Sequence, residues 1–198
     1  MSEAVVLAHD SVGDGPGLLI LHGLFGSARN WQSVARALAD RYRVISIDAR
    51  NHGRSPHTPA MDYRLMAADV AALIDEQGLG PVTVLGHSMG GKTATTLALL
   101  EPARVARLVV VDIAPQATPD VHTSIIDAMR ALPLATITRR HQAEEALVEA
   151  VPDRDVRLFL LQNFLPAAEG SAWRFNLDGL RAAMPALVDA LPVPANAR

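Results

Sequence analysis

The chain contains no cysteine, and this absence excludes several kinds of chemistry at once. Without cysteine the protein has no disulfide, no thiol nucleophile and no cysteine-ligated metal. The net charge is -3, so no broad positive field attracts nucleic acid or an anionic membrane. The histidines are dispersed and lack the close carboxylate spacing of a metal site. We therefore expect no nucleic-acid partner and no metal.

Long apolar runs are missing as well. No run approaches the roughly 20 apolar residues of a membrane-spanning helix. The first residues, Met1–Ala4, lack the positive and apolar regions of a signal peptide. A glycine-rich run at Gly13–Gly17 precedes a predicted strand, whereas a dinucleotide-binding fingerprint follows one. These observations predict a cytoplasmic protein with no membrane span and no cofactor.

Apolar runs that are typical of buried strands alternate with helix-like segments between residues 18 and 112. The run Leu18–Leu21 is continuous, as expected of a strand buried on both faces of a sheet. An earlier run, Val5–Ala8, predicts a first strand. With 198 residues, of which 49% are hydrophobic, the chain suits one domain with a sizeable core. The alternation predicts an α/β fold, a mostly parallel sheet covered by helices on both faces.

The pattern changes after Pro115. From there on we predict helices separated by prolines and no convincing strand. The helix-like segments are 121–132, 143–150, 153–164 and 177–187. We expect residues 1–115 to form the core and residues 116–191 to form a helical lid over the site that the core carries.

A pentad, Gly86-His87-Ser88-Met89-Gly90, stands between a predicted strand and a predicted helix. A serine in this G-x-S-x-G arrangement lies on a sharp strand-to-helix turn, and the flanking glycines avoid collisions with neighbouring backbone. Such a serine becomes a nucleophile when a base takes its proton. The alternative is a serine that caps an ordinary helix of a parallel-sheet protein.

Four segments together resemble the α/β-hydrolases. They are His22–Ser27 followed by Asn30-Trp31, then Asp48–Ser55, Gly86–Gly91 and Val111–Pro115. The last is similar to a segment in a branch of small bacterial esterases and acyl-CoA thioesterases. The resemblance implies the α/β-hydrolase fold with a helical lid. It also implies a serine hydrolase that cleaves small-molecule carboxylic esters or acyl thioesters through an acyl-enzyme.

The resemblance further implies roles for individual residues. Ser88 is the expected nucleophile, and Asp112 is the expected acid of the catalytic triad. The backbone N–H groups of Leu24 and Met89 are the expected oxyanion donors, with Phe25 as the alternative to Leu24.

The wall of the substrate pocket is expected to include His22, Phe25 and His87. Simpler interpretations stay open at three positions. Leu24 and Phe25 are equally compatible with apolar packing, and Asp112 is compatible with a loop cap after a strand.

The histidines His122 and His141 are the only ones that follow Ser88, and both fall in the predicted lid. The order of the triad in the family is serine, acid, histidine, so the catalytic histidine is expected to be absent from this chain. We expect a truncated form that lacks the last strands of the sheet. The strand around residues 108–111 would then be an unprotected edge that favours self-association.

Two other functions fit the same motifs. A missing base together with a lid fits a non-catalytic α/β-hydrolase-like binding module. The turn around Ser88 also fits a cofactor-free haloperoxidase or perhydrolase.

Overall fold

The computed structural model describes residues 4–168 and 170–191. Its main sheet consists of β1 (His9–Val12), β2 (Gly17–Leu21), β3 (Arg43–Ile47), β4 (Val82–His87) and β5 (Val105–Val111). Within the described residues these strands lie in the order β1-β3-β2-β4-β5. β1 pairs antiparallel with β3, and the other pairs are parallel. The predicted, mostly parallel sheet is confirmed.

Helices cover both faces of this sheet. They are α1 (Gln32–Leu38), α2 (Tyr63–Glu76) and α3 (Met89–Leu100). Side chains alternate across β2, so Leu19 and Leu21 pack with α2 and α3, whereas Leu18 and Ile20 pack with α1. Each helix follows a strand of the sheet, and this βα alternation brings the loops at the carboxyl ends of β2, β3 and β4 to one edge.

The first strand begins later than predicted, because residues 5–8 are not a strand and β1 starts at His9. Two N–H groups of the earlier run bond to side chains, and one carbonyl, that of Ala8, accepts from Asp48 N–H just after β3 at 2.8 Å. Val5 N–H donates to the carboxylate of Asp69, and Ala8 N–H donates to the hydroxyl of Ser55. An apolar run alone does not reveal such side-chain partners.

The chain after β5 forms a helical segment, defined here as residues 123–188. Its helices are α4 (Thr123–Ala131), α5 (Arg140–Ala146), α6 (Arg154–Leu160) and α7 (Leu177–Val188). The prediction of no strand in this region is wrong, since β6 (Phe164–Leu165) and β7 (Ala172–Trp173) form a short antiparallel pair. Strands of two residues show no periodicity in sequence. Among the described residues, no helix has both the length and the apolar character needed to cross a membrane.

The helical segment packs on the core through one shared apolar cluster. Two polar contacts also tie the end of α7 to the core helices. The Tyr63 hydroxyl donates to the carbonyl of Leu187 at 2.7 Å, and Lys92 Nζ donates to the carbonyl of Asp189 at 2.8 Å. A cation near a helix C-terminus also interacts favourably with the helix dipole. The segment is therefore anchored directly over α2 and α3.

One edge of the main sheet, within the described residues, is β5. Its apolar side chains are unusually open, with Leu108 39% exposed and Val109 42% exposed. An edge strand presents a row of unpaired N–H and C=O groups. Here that row is flanked by apolar side chains, so the predicted unprotected edge is present.

Candidate functional site

Ser88 lies at the turn between β4 and α3, with φ 50° and ψ -118°. A positive φ is unfavourable for a residue with a side chain, so the surrounding structure holds this turn in place. Ser88 N–H donates to the carbonyl of Val111 at 3.0 Å, across to the neighbouring strand. A Cβ atom on Gly86 would collide with the carbonyl oxygen of Gly90. The strand, the turn and the helix predicted around the pentad are all present.

Two cavities meet at Ser88. The first has a volume of about 250 Å³ and lies between α3 and the helical segment. Its walls include Tyr63, Met89, Lys92, Ile113, Met184 and Leu187. The second has a volume of about 440 Å³. Its walls include His22, Trp31, Val34, His87 and Phe159. Leu24, Ser88 and His122 line both cavities, so a ligand at Ser88 can extend in two directions.

The loop between β2 and α1 approaches Ser88 closely. A Cβ atom on Gly23 would lie 2.9 Å from Nδ1 of His87 and 3.3 Å from Cβ of Ser88. Such distances are shorter than ordinary van der Waals contact, so glycine at this position permits the approach. The backbone of the loop therefore forms part of the wall next to the hydroxyl.

Some backbone N–H groups beside Ser88 donate a hydrogen bond within the protein, and others do not. Phe25 N–H donates to Nε2 of His52 at 3.3 Å. In the described part of the chain, Leu24 N–H and Met89 N–H donate to no acceptor. Phe25 is therefore removed as the alternative oxyanion donor, whereas Leu24 and Met89 retain free donors beside the cavities.

Phe25 is also removed from the predicted pocket wall. It lines neither of the two cavities at Ser88 in the described part of the chain. Its ring instead packs in the interior, 5.7 Å from the ring of Phe175 and 5.8 Å from that of His122, centroid to centroid. His22 and His87, by contrast, both line the second cavity.

Two buried histidines support the loop. His22 Nε2 accepts from Ala49 N–H at 3.0 Å, so its Nδ1 carries the proton and donates to the carbonyl of Gly23 at 2.7 Å. His52 is arranged in the same way, with Nδ1 donating to the carbonyl of Arg50 at 3.0 Å. Both rings are therefore neutral. Burial lowers the pKa of His22, and it lowers the pKa of His52 to about 3.

The loop after β3 is held by carboxylates. Asp48 accepts from Ala28 N–H at 2.7 Å and from Arg54 N–H at 3.1 Å, which ties it to the start of the loop before α1. Arg50 and Asp69 form an ion pair at 2.6 Å and are both buried. These contacts fix the neighbouring loops relative to one another, and none of the three side chains lines either cavity at Ser88.

Asp112 follows β5 at the same edge of the sheet as Ser88. The register of the parallel pair sets Val111 beside His87, so the next residue of each strand also comes close. Oδ2 of Asp112 lies 3.7 Å from Nε2 of His87. The Asp112 side chain is 85% exposed because it ends the edge strand. It has a positive φ of 57°, which aspartate tolerates better than most residues.

Within residues 4–168 and 170–191, the Ser88 hydroxyl makes no hydrogen bond. No general base in this part of the chain therefore contacts it. His122 lines both cavities, and burial lowers its pKa. His141 is an exposed residue of α5. The same described residues contain no cluster of three His, Asp or Glu side chains suited to a metal ion.

Some residues of the two cavities were not predicted from sequence. Lys92 comes from α3, His122 directly precedes α4, and Phe159 comes from α6. The helical periodicity around them indicates only which face is buried, and not which face adjoins Ser88.

Comparison with known proteins agrees with this architecture. A family model described as the alpha/beta hydrolase fold matches residues 16–174. The chain belongs to the α/β-hydrolase family. It is 43% identical over 180 residues to the sn-1-specific diacylglycerol lipase ABHD11 of Danio rerio, covering 86% of this chain and 56% of that protein. It is 36% identical over 179 residues to the esterase YbfF of Escherichia coli strain K12, covering 90% of this chain and 69% of that protein.

A solved structure has the same fold over most of its length. A marine microorganism esterase superposes with a TM-score of 0.91 at 35% identity, covering 98% of this chain and 78% of that one. The chain thus spans little more than half the length of the zebrafish lipase and about four-fifths of the marine esterase. The relatives place it in the esterase-like part of the family.

Proposed function

We propose that the chain forms the acyl-enzyme site of a serine hydrolase that cleaves carboxylic esters or acyl thioesters. The observation that carries the proposal is the strained position of Ser88 at the junction of two cavities. The Ser88 hydroxyl attacks the substrate carbonyl carbon and releases the alcohol or thiol, and water then hydrolyses the acyl-enzyme. The names of the relatives, esterase and lipase, support ester hydrolysis.

The backbone N–H groups of Leu24 and Met89 are the proposed oxyanion donors. Both are free of protein acceptors in the described residues, and both residues line the first cavity together with Ser88. Met89 also begins α3, whose N-terminal dipole favours negative charge. Removing such a donor from a well-studied oxyanion hole raises the barrier by about 3–4 kcal/mol.

Asp112 is the proposed triad acid, which orients an imidazole and stabilises its charged form. That imidazole must take the proton of Ser88 and later give it to the leaving group. In the described residues no histidine occupies this place between Ser88 and Asp112. We propose that polypeptide outside these residues supplies it, next to β5. The exposed carboxylate of Asp112 supports this arrangement, because it remains free to accept another hydrogen bond.

The two cavities suggest where the acyl group and the leaving group of the substrate bind. The first, whose lining is mainly apolar, is the proposed site of a short to medium acyl group, with the helical segment acting as a lid. The second, beside Trp31 and His87, is the proposed site of the leaving group. The neutral substrates that fit such walls are small-molecule esters.

Self-association is proposed for the chain in isolation. The exposed apolar edge of β5 supports it, because a second copy could add a strand there through main-chain hydrogen bonds. This contact is separate from the chemistry at Ser88.

The test is intact-mass analysis after exposure to a fluorophosphonate, with and without added imidazole. We expect little adduct without imidazole and one stoichiometric adduct when it is present. Ser88→Ala should abolish that adduct, whereas Ser33→Ala, at an exposed serine of α1, should leave it unchanged. An adduct of equal size in Ser88→Ala would contradict the proposed nucleophile.

A non-catalytic binding module is the second candidate. It is favoured by the absence, within the described residues, of any hydrogen bond to the Ser88 hydroxyl. It predicts saturable binding of a short-chain ester, measured by calorimetry, with the ester recovered intact and no fluorophosphonate adduct even with imidazole. Nothing in the geometry favours peroxidase chemistry.

A further inference from the structure

The backbone of Phe25 is held on both sides of its Cα atom. Phe25 has φ 63°, a conformation that a bulky side chain rarely adopts, and its side chain is buried. Its N–H donates to Nε2 of His52 at 3.3 Å, and its carbonyl accepts from Nδ2 of Asn163 at 3.1 Å. The tight turn is closed by Gly26 N–H, which donates to the carbonyl of Gly23 at 2.9 Å. An unfavourable backbone angle persists only where such contacts hold it.

His52 reaches this loop from the loop after β3. The ring is fully buried and packs edge-on against His22 and Phe175, at centroid distances of 5.0 and 5.8 Å. Because Nδ1 donates to the carbonyl of Arg50, Nε2 is left as an acceptor aimed at Phe25. The ring is thus fixed in position and tautomer before any ligand is present.

Asn163 reaches the next peptide, Phe25–Gly26, from the helical segment. It lies in the short 3-10 turn after α6, and it is buried. Its own carbonyl accepts from Arg174 N–H at 2.9 Å, which fixes the turn. The bond from Asn163 to Phe25 therefore joins the helical segment to the loop beside Ser88. The neighbouring Gln162 makes a second contact, accepting from Asn30 Nδ2 at 2.7 Å, but it does not touch Phe25.

We propose that His52 and Asn163 are positioning residues that turn the Phe25 N–H away from Ser88 and so leave the Leu24 N–H as the donor of the oxyanion loop. The inference rests on the proposed function of Ser88. Neither side chain touches the reacting atoms: His52 acts through the Leu24–Phe25 peptide, and Asn163 acts through the Phe25–Gly26 peptide that follows it. Since Asn163 belongs to the helical segment, docking of that segment and alignment of the donor occur together.

The reactivity test uses paired variants of the whole chain and the imidazole-assisted fluorophosphonate reaction. His52→Leu removes the acceptor, whereas His52→Gln retains an oxygen near the position of Nε2. Asn163→Leu removes the donor to Phe25, and Gln162→Leu is its matched control. We expect His52→Leu and Asn163→Leu to lower the maximal rate of adduct formation by roughly tenfold to a hundredfold, with the half-saturating concentration unchanged. His52→Gln should recover most of the rate, and Gln162→Leu should retain it.

A second measurement does not depend on the reaction. Amide hydrogen exchange should show Phe25 N–H protected in the unaltered chain and in His52→Gln, and exposed to exchange in His52→Leu. If folded His52→Leu and Asn163→Leu form the adduct as fast as the unaltered chain, the positioning roles are wrong. They are also wrong if Gln162→Leu lowers the rate of adduct formation as much as Asn163→Leu does. No adduct at Ser88 in the unaltered chain, despite a protected Phe25 N–H, would instead overturn the proposed function.

Discussion

The carboxylate of Asp112 lies 3.7 Å from Nε2 of His87, the residue that immediately precedes Ser88. The two residues are 25 positions apart, and the parallel pairing of β4 with β5 brings them together. At this distance the pair is not a hydrogen bond. The carboxylate therefore remains available to accept a hydrogen bond. It lies beside His87, the neighbour of the serine whose hydroxyl we propose as nucleophile.

Asp112→Asn should separate reactivity from stability. Because the side chain is exposed and asparagine tolerates a positive φ, the free energy of unfolding should change by less than about 0.5 kcal/mol. The imidazole-assisted rate of adduct formation should fall by about tenfold or more, because the imidazole loses its partner. Urea unfolding and intact-mass kinetics measure the two quantities. Asp14→Asn is the control at an exposed aspartate, and an unchanged rate in Asp112→Asn would rule out its proposed role.

Stability should decrease as pH falls below about 6.5, the usual pKa of histidine. Burial lowers the pKa of His52 to about 3 and lowers that of His22, so the unfolded chain binds more protons between these values. For His52 the free energy of unfolding should therefore fall by up to about 1.4 kcal/mol per pH unit from pH 6.5 towards 3, and His22 adds a loss of the same sign that begins below pH 6.5. Urea titrations between pH 5 and 7 measure the slope. His52→Gln should make it shallower, and the exposed His57→Gln should not.

Gly86→Ala should destabilise the chain strongly. The added Cβ would collide with the carbonyl group of Gly90 and the Cα atom of Gly91, and these are backbone atoms of α3 that cannot move aside as a flexible side chain would. We expect a loss of about 1–3 kcal/mol or more, or a failure to fold. Gly80→Ala is the matched control, because a Cβ there meets nothing within 4 Å. Thermal unfolding of the two purified variants makes the comparison, and equal melting temperatures would contradict the close packing of the turn.

Asp69→Asn should cost about 3–5 kcal/mol, because it leaves the buried guanidinium of Arg50 without its charge partner. Asp69 also accepts from Val5 N–H, so the amide exchange of Val5 should increase. Asp75→Asn breaks the exposed ion pair with Arg104 and should cost no more than about 1 kcal/mol. A loss at Asp69 as small as that at Asp75 would argue against a rigid loop after β3.

Val109→Lys should reduce self-association. A lysine on an edge strand discourages pairing with a second strand, and Val109 is already 42% exposed, so the fold should tolerate it. Sedimentation velocity over a range of concentrations measures the change. Val121→Lys, at an exposed valine outside the sheet, is the control. Identical association of both variants would place the contact elsewhere than β5.

The sheet and the Ser88 turn could be predicted from sequence because they depend on local signals. Continuous apolar runs mark β2 to β5, and the glycines around Ser88 mark a turn that other residues would not permit. The first strand was misplaced because the N–H groups of Val5 and Ala8 donate to the side chains of Asp69 and Ser55. Those partners are more than 40 positions away, and a local pattern does not show them.

The details of the site depended on contacts between distant segments. Phe25 was considered as an oxyanion donor and as a residue of the pocket wall. The structure supports neither role, because His52 binds its N–H and its ring packs in the interior. Likewise, His122 was expected in the lid and not in the pocket wall, whereas it lines both cavities. Each difference arises from packing of the helical segment or of the loop after β3, which residue spacing does not encode.

The positive φ of Ser88 has a consequence for redesign of the chain. A sparsely populated backbone conformation of this kind, with ψ -118°, costs a residue with a side chain about 1–3 kcal/mol, and glycine adopts it with little strain. A search for thermostable variants, if guided by melting temperature alone, would therefore favour Ser88→Gly and reward loss of the hydroxyl. Any library built on the scaffold to test the proposed chemistry should therefore hold residue 88 fixed.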